Sequence, residues 1–418
     1  MADARDVALE VLRRVDADAA FASTVLRAEL QRRKASPADA GLATEIVYGL
    51  LRKRSFVDAA LAHVSGRRIK DIDRRLIDIL RIGAYQLMEL DRIPDHAAVD
   101  LAVRQAKRRK AHGGFVNAVL RKLARTPAEE RLPKGPDPDA PAERQVSFHG
   151  GVPLALAKQL VDDLGPEEAL AFARASLASA PLTLRVHPRA EPTAIAAEVG
   201  GAIGELPYAV HLPGGGLPAD LDCVRRGDAS PQDEAAMRVV ELLAPEPGET
   251  ILDLCAAPGG KTTHIAERLA GRGRVLAYDR LPRRLARVAE NAARLRLDEV
   301  ETIDVLPAET ERFDRVLVDA PCSGLGTLRR HPELRWKFDP NGLAELTRTQ
   351  DLVLGQGLAR LGPGGVLVYS VCTITKAEGE NRLAHLGPDF EVEHSLRTGP
   401  HESGAPDGFF MARIRRAH

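Results

Sequence analysis

The chain has 418 residues, of which 44% are hydrophobic and 28% charged. That length exceeds one ordinary core, and the balance is that of a soluble globular protein of about two or three domains. Lys plus Arg equals Asp plus Glu at 59 each, so total charge lends no support to a nucleic-acid partner and any such contact must come from local clusters. No apolar run approaches the roughly 20 residues of a membrane span. The opening residues, Met1 to Asp6, lack the basic start and apolar stretch of a signal peptide, so a cytoplasmic protein without membrane contact is expected. Cys223, Cys255, Cys322 and Cys372 show neither metal-ligand nor disulfide spacing, which predicts free thiols and no metal.

From Asp3 to about Arg125 apolar residues recur at helical spacing: Val7, Val11, Leu12 and Val15, then Leu42, Ile46, Val47, Leu50 and Leu51, then Leu76, Ile79, Leu80, Gly83 and Leu87. Breakers at Ser65-Gly66, Arg92 to Pro94 and His112 to Gly114 divide them into a helical bundle over 1–125. Residues 126–144 carry Pro127, Pro133, Pro136, Pro138 and Pro141 and read as a semi-extended linker. Residues 145–235 predict a small α+β middle subdomain, with a helix at 154–164, a strand at 182–186, a helix near 194–199 and glycine turns at Gly200-Gly201 and Gly214 to Gly216. Over 236–418 strands and helices alternate. Strands are expected at 250–254, 274–278, 300–305, 315–319, 365–370, 391–394 and 409–414, and helices at 261–270, 282–295, 343–361 and 377–386. Such alternation implies an α/β domain built on a mostly parallel, doubly wound sheet.

In open α/β sheets ligands bind at the carboxyl ends of the strands, and the informative residues fall there. Cys255, Ala256, Ala257, Pro258, Gly259, Gly260 and Lys261 form a strand-to-helix turn whose glycines admit a ligand close to the backbone and whose helix offers unpaired N–H groups. Asp279 ends the second strand, where a carboxylate can accept from a ribose diol, and Asp304 ends the third, where an acid can hold an adenine amino group. Asp253 either faces the ligand's amino-acid part or orders the loop. Tight packing explains a lone glycine turn equally well, and solvation explains a lone aspartate. Their shared register favours a nucleoside-like cofactor. Cys322 in Asp319-Ala-Pro-Cys-Ser-Gly324 and Cys372 after Val366 to Val371 also sit at strand ends, and two such thiols beside one pocket favour chemistry over packing.

Leu254 to Lys261, Asp319 to Gly324 with Arg330-His-Pro-Glu333 and Trp336, and Cys372 resemble the RNA cytosine-5 methyltransferases of the RsmB/Nop2/Sun family. Glu45 to Arg52, Leu80 to Gln86, Asp91 to Pro94 and Gly114 to Arg121 are similar to a NusB-type RNA-binding domain, a pairing that points to the 16S ribosomal RNA methyltransferase B branch. The flanks of Cys372 read Val371-Cys372-Thr373 where the family pattern is Thr-Cys-Ser. The resemblance implies a multidomain chain with an all-α NusB-like bundle, the middle subdomain and a Rossmann-like class I methyltransferase with a mostly parallel seven-stranded sheet. It implies S-adenosyl-L-methionine as cofactor, no metal, and a monomer acting on RNA, most simply small-subunit ribosomal RNA. It makes Cys372 the attacking thiol and Cys322 the residue that assists product release. Asp319 would hydrogen-bond the base edge or the cofactor.

The chemistry demands such residues: C5 of cytosine is a poor nucleophile, and adding a thiolate to C6 turns the ring into an enamine whose C5 can attack a methyl donor. Lys107, Arg108, Arg109 and Lys110 form a basic run suited to RNA phosphates, as do Arg330 and Arg335 just after the catalytic turn, although a solvated helix face is the ordinary explanation of such a run. Two rivals remain open. A DNA cytosine-5 methyltransferase would use Cys322 as nucleophile and carry a large recognition insert, and a non-catalytic NusB-like RNA-binding or antitermination factor would fail to bind the methyl donor.

Overall fold

The computed structural model describes residues 3–18, 20–109, 112–212, 218–402 and 404–417. The chain divides into two compact units, Met1–Ala178 with Leu328–Phe338, and Ser179–Thr327 with Asp339–His418. Gly214 to Gly216 and Lys110 lie outside the described residues.

The first unit is helical: α1 (Ala4–Asp18), α2 (Ala22–Arg33), α3 (Pro37–Ser65), α4 (Arg74–Glu89), α5 (Asp95–Arg108) and α6 (Gly113–Arg125) share one apolar core. The periodic residues named above do bury: Leu76, Ile79, Leu80 and Leu87 of α4 are all enclosed, each contributing about 1.5–3 kcal/mol by leaving water. Two glycines set the helix spacing. A Cβ at Gly83 would meet Leu120 Cδ1 at 2.5 Å, and one at Gly49 would overlap the Tyr85 hydroxyl, so α4 packs closer to its neighbours than any larger residue would allow. Ser36 caps α3 by accepting from Asp39 N at 3.2 Å, with Pro37 in the first turn.

The proline-rich stretch holds only a single 3₁₀ turn, Ala128–Glu130, before α7 (Ala142–Gly150), α8 (Leu154–Leu164) and α9 (Pro166–Ala175). These helices belong to the first unit, so the stretch expected to form one subdomain is split at residues 178 and 179. Helical spacing in 142–175 is a local signal, whereas the unit to which the helices attach is set by distant contacts.

The second unit contains two sheets. The small one has β1 (Leu182–Val186), β2 (Ala202–Ile203), β3 (Ala209–Leu212) and β4 (Ala229–Pro231), antiparallel in the order β2-β3-β1-β4, with α10 (Pro192–Val199) and α11 (Asp222–Arg226). After α12 (Glu234–Leu243) the large sheet is built from β5 (Thr250–Asp253), α13 (Gly260–Leu269), β6 (Arg274–Tyr278), α14 (Pro282–Leu295), β7 (Val300–Ile303) and β8 (Phe313–Asp319). It is completed by α15 (Leu334–Lys337, part of the segment that joins the first unit), α16 (Leu343–Arg360), β9 (Leu361–Val371), α17 (Glu380–Leu383), β10 (Phe390–Thr398) and β11 (Phe409–Arg416).

The strand order is β10-β11-β9-β8-β5-β6-β7. Strands β7, β6, β5, β8 and β9 run parallel; β11 runs against β9 and β10 against β11, so β11 alone of these strands is reversed. β8 and β9 are almost continuously buried because both faces are covered, the reason their sequences read as unbroken apolar runs. The chain winds outward from β5 through β6 and β7, then restarts on the other side of β5 with β8. That reversal opens a crevice at the carboxyl ends of β5 and β8, where Asp253 and Asp319 lie. One expected element is much reduced: the helix predicted over 377–386 is the single turn α17. A Cβ at Gly379 would meet Phe410 at 2.9 Å, and the Glu378 side chain is tied back toward Thr375, so the backbone cannot enter a helix earlier.

Candidate active site

The turn after β5 is built for close approach. Gly259 has φ 102°, a left-handed conformation, and a Cβ there would lie 3.1 Å from Val288 Cα. Gly260 faces open space, with nothing within 4 Å of the Cβ it lacks. Gly259 is also the N-cap of α13 and supplies no side-chain acceptor, so the first-turn amides are not capped from within their own helix.

Asp253 is 1% exposed, and its Oδ2 accepts from Thr262 Oγ1 at 2.7 Å. Of the two roles open to it, this is loop ordering. Burial, opposed in part by the Thr262 bond, pushes its carboxyl up to about 7. Raised from 3.8, such a group stabilises the fold fully below its unfolded value and loses that contribution as pH climbs toward 7. Asp253→Asn is therefore expected to remove a pH-dependent loss of stability that reaches about 4 kcal/mol by pH 8. Urea unfolding of both proteins from pH 4 to pH 8 checks this, and parallel profiles would contradict it.

Asp279, at the end of β6, is buried; Oδ1 accepts from Leu281 N at 2.9 Å, and Oδ2 lies 3.2 Å from Arg284 Nη1. Asp304, just past β7, is exposed. Burial pushes the Cys255 thiol up, reinforced by Asp253, Asp319 and Asp279, which disfavours its thiolate.

Asp319 ends β8 and is shared by two donors. Lys261 Nζ donates to Oδ2 at 2.7 Å and Ser370 Oγ to Oδ1, also at 2.7 Å. Ser370 is the register partner of Asp319 on β9, two residues before Cys372. Lys261 sits 5.1 Å from the centroid of Phe409. Burial disfavours its charge, but Asp319 more than offsets this and holds the ammonium above its ordinary value. The same ammonium interacts electrostatically with Cys372.

The two strand-end thiols come together: Cys322 Sγ lies 3.3 Å from Cys372 Sγ. The contact with Cys372 and burial push the Cys322 thiol well up. Behind them is a residue that the sequence did not single out. Glu378 is fully buried and accepts from Ser323 and Thr373, the residues that follow the two cysteines. Ser370, Thr262 and Glu378 all escaped sequence reasoning. Only Ser370 left a signal, its place at a strand end opposite Asp319.

The expected basic contacts fare unevenly. Lys107 and Arg108 are exposed, with Arg108 3.1 Å from Asp6, while Arg109 is half-buried, as is Arg330. Arg335 has to be corrected. It is fully buried in the first unit and donates to the carbonyls of Arg52 at 2.9 Å and Ser176 at 3.0 Å, so it satisfies backbone acceptors and cannot reach a phosphate. Its neighbours do the same work: Trp336 Nε1 donates to Leu51 O at 2.7 Å, Lys337 Nζ to Ala20 O at 2.6 Å, and Glu333 accepts from Ala22 N at 3.0 Å.

A seven-stranded sheet with one reversed strand, a glycine turn after β5 and acids at the ends of neighbouring strands define a Rossmann-like domain. Residues 240–391 match the 16S rRNA methyltransferase RsmB/F family, and residues 2–125 match the NusB family. The ribosomal RNA small subunit methyltransferase B of Vibrio cholerae serotype O1 is 35% identical over 419 residues, covering 91% of this chain and 91% of that protein. Its namesake in Cronobacter sakazakii is 34% identical over 434 residues, covering 98% of each. The chain belongs to the RsmB/F family of 16S ribosomal RNA methyltransferases, with a NusB-like helical domain at its N-terminal end. Among solved structures, that of PH0851 superposes with a TM-score of 0.80 at 23% identity, covering 100% of this chain and 99% of the other. NSun6 from Pyrococcus horikoshii superposes with a TM-score of 0.57 at 20% identity, covering 62% of this chain and 97% of the other.

Proposed function

We propose that the protein methylates carbon 5 of a cytosine in 16S ribosomal RNA, using S-adenosylmethionine, through a transient bond between Cys372 and C6 of the base. The observation that carries this reading is the pair of thiols 3.3 Å apart at strand ends, beside the Lys261–Asp319 ion pair. Residues 255–261 with Asp279 and Asp304 would hold the cofactor, an arrangement supported by the open face of Gly260 and the uncapped amides of α13. Once bound, S-adenosylmethionine supplies an electrophilic methyl group on a cationic sulfur.

Cys372 gives up its proton to water, and its sulfur adds to C6. Asp319, oriented by Lys261 and Ser370, accepts from the amino edge of the base and holds the ring against Cys372. After C5 has gained the methyl group, water takes its remaining proton, the C5–H electron pair restores the C5=C6 double bond, and the C6–S bond breaks with its electron pair returning to sulfur. Cys322, protonated and in contact with Cys372, assists this release. Lys107, Arg108, Arg109 and Arg330 would meet phosphates, and the target cytosine must leave any stack to reach the thiols. The protein would act in the cytoplasm, where reducing conditions keep both thiols free.

The DNA alternative needs Cys322 as nucleophile and a large recognition insert after the Cys322 turn, and the sequence carries no such insert. Incubating the protein and S-adenosylmethionine with 16S RNA or with duplex DNA, then mapping bisulfite-resistant cytosines, tests the assignment. Resistance is expected at a defined position in the RNA and none in the DNA; methylation of the DNA alone would overturn it.

A further inference from the structure

We infer that Glu378 is a positioning residue that sets the spacing of the two thiols; this rests on the roles proposed above for Cys372 and Cys322. Glu378 lies in the connection between β9 and α17 and is fully buried. Its Oε1 accepts from Ser323 N at 2.7 Å and Gln350 Nε2 at 3.1 Å. Its Oε2 accepts from Ser323 Oγ at 2.6 Å, Thr375 Oγ1 at 2.8 Å and Thr373 Oγ1 at 3.2 Å. All these donors are neutral, so the side chain is held by directed hydrogen bonds and not by an ion pair among them.

The identity of the donors gives the arrangement its meaning. Ser323 follows Cys322 and Thr373 follows Cys372, so one carboxylate gathers the residues adjoining both thiols, and their hydroxyls also meet each other at 2.8 Å. Gln350 of α16 completes the bracket by donating to Pro321 O at 3.0 Å, on the other side of Cys322. The Tyr369 hydroxyl, from β9, donates to the Glu378 carbonyl at 2.7 Å and anchors the acid to the strand that delivers Cys372. Two loops that are distant in sequence thus take their mutual geometry from one buried group. A loop left to itself would not hold two sulfur atoms at 3.3 Å, because that contact alone is too weak to fix the backbone on either side. Removing the carboxylate takes the acceptor from the Ser323 amide and the Thr375 hydroxyl, leaves Gln350 with Pro321 O alone and the Ser323 and Thr373 hydroxyls with only each other, and so loosens both loops.

The test compares full-length Glu378→Ala, Glu378→Gln and Ser323→Ala with the wild type, each first checked for folding by its melting transition and for S-adenosylmethionine binding by calorimetry. Two rates are then read: kcat for RNA methylation, and formation of the Cys322–Cys372 disulfide with diamide, followed by mass spectrometry. The second depends on sulfur geometry and not on the methyl-transfer chemistry. For Glu378→Ala the expected result is a fall in kcat of about a hundredfold, with KM for S-adenosylmethionine unchanged, since misplacement of about 1 Å at a reacting group costs that much. Disulfide formation should slow by about tenfold, because it tolerates little error in sulfur placement. Glu378→Gln, which keeps one acceptor oxygen, should recover most of both rates. Ser323→Ala, a milder change that removes the hydroxyl part of the link while the residue 323 amide still donates to Glu378, should fall between. A folded Glu378→Ala or Ser323→Ala protein with wild-type disulfide kinetics would overturn the inference. If Cys322→Ala traps no RNA while disulfide formation still depends on residue 378, the proposed chemistry fails and the positioning role stands.

Discussion

Alanine at position 372 is expected to abolish RNA methylation, lowering the rate by at least about 10⁴-fold while S-adenosylmethionine still binds. The size of the effect follows from the substrate. Without addition of sulfur to C6, C5 of cytosine lacks the electron density to attack a methyl group, and no other side chain placed here can substitute. Cys322 is the nearest nucleophile, at 3.3 Å from the lost sulfur, but its thiol is pushed well up by that contact and by burial. Losing the Cys372 contact removes the largest cause of this, and burial remains. The structural penalty is small: Cys372 is half-buried at the edge of a packed cluster, and deleting one sulfur there should lower stability by about 1 kcal/mol. A folded, cofactor-binding, inactive protein is therefore the predicted result, read by filter-binding of labelled methyl groups to RNA and by calorimetry.

Changing Cys322 to alanine should have the opposite signature. Addition to C6 and methyl transfer remain possible, because Cys372, Lys261 and Asp319 are untouched, but the step that frees the base loses its assisting thiol. Multiple-turnover methylation should fall by about a hundredfold or more, the scale of one acid–base group. Protein should accumulate as an RNA conjugate that survives a denaturing gel. If the conjugate forms with Cys372→Ala and not with Cys322→Ala, the two sulfurs have exchanged roles and the chemistry is that of the DNA enzymes.

Much of this site was legible in the sequence because each part of it is a local pattern. Strand β6 and helix α14 begin and end where spacing placed them, at Arg274–Tyr278 and Pro282–Leu295. An apolar run buried on both faces, then a breaker, then an amphipathic helix leaves few alternatives. Cys322 and Cys372 could be paired from sequence because both follow such runs in neighbouring parallel strands. What stayed hidden depends on contacts between distant residues. Arg335 reads as one more charge in a basic stretch, and only the fold shows that its guanidinium meets the carbonyls of Arg52 and Ser176. Glu378 reads as part of an amphipathic helix over 377–386. Its actual donors come from Ser323 and Gln350 as well as nearby threonines, and satisfying them stops the helix from starting. The division of 145–235 between the two units is hidden for the same reason, since helical spacing in α7 to α9 carries no information about the surface they cover.

The transient sulfur–carbon bond is tested most directly by peptide mapping of the trapped species. Cys322→Ala protein is incubated with S-adenosylmethionine and 16S RNA, digested with ribonuclease and trypsin, and analysed by tandem mass spectrometry. The predicted result is a peptide carrying a methylated cytidine nucleotide on Cys372. A nucleotide on any other residue, or RNA methylated in full with no peptide modified, would contradict the account.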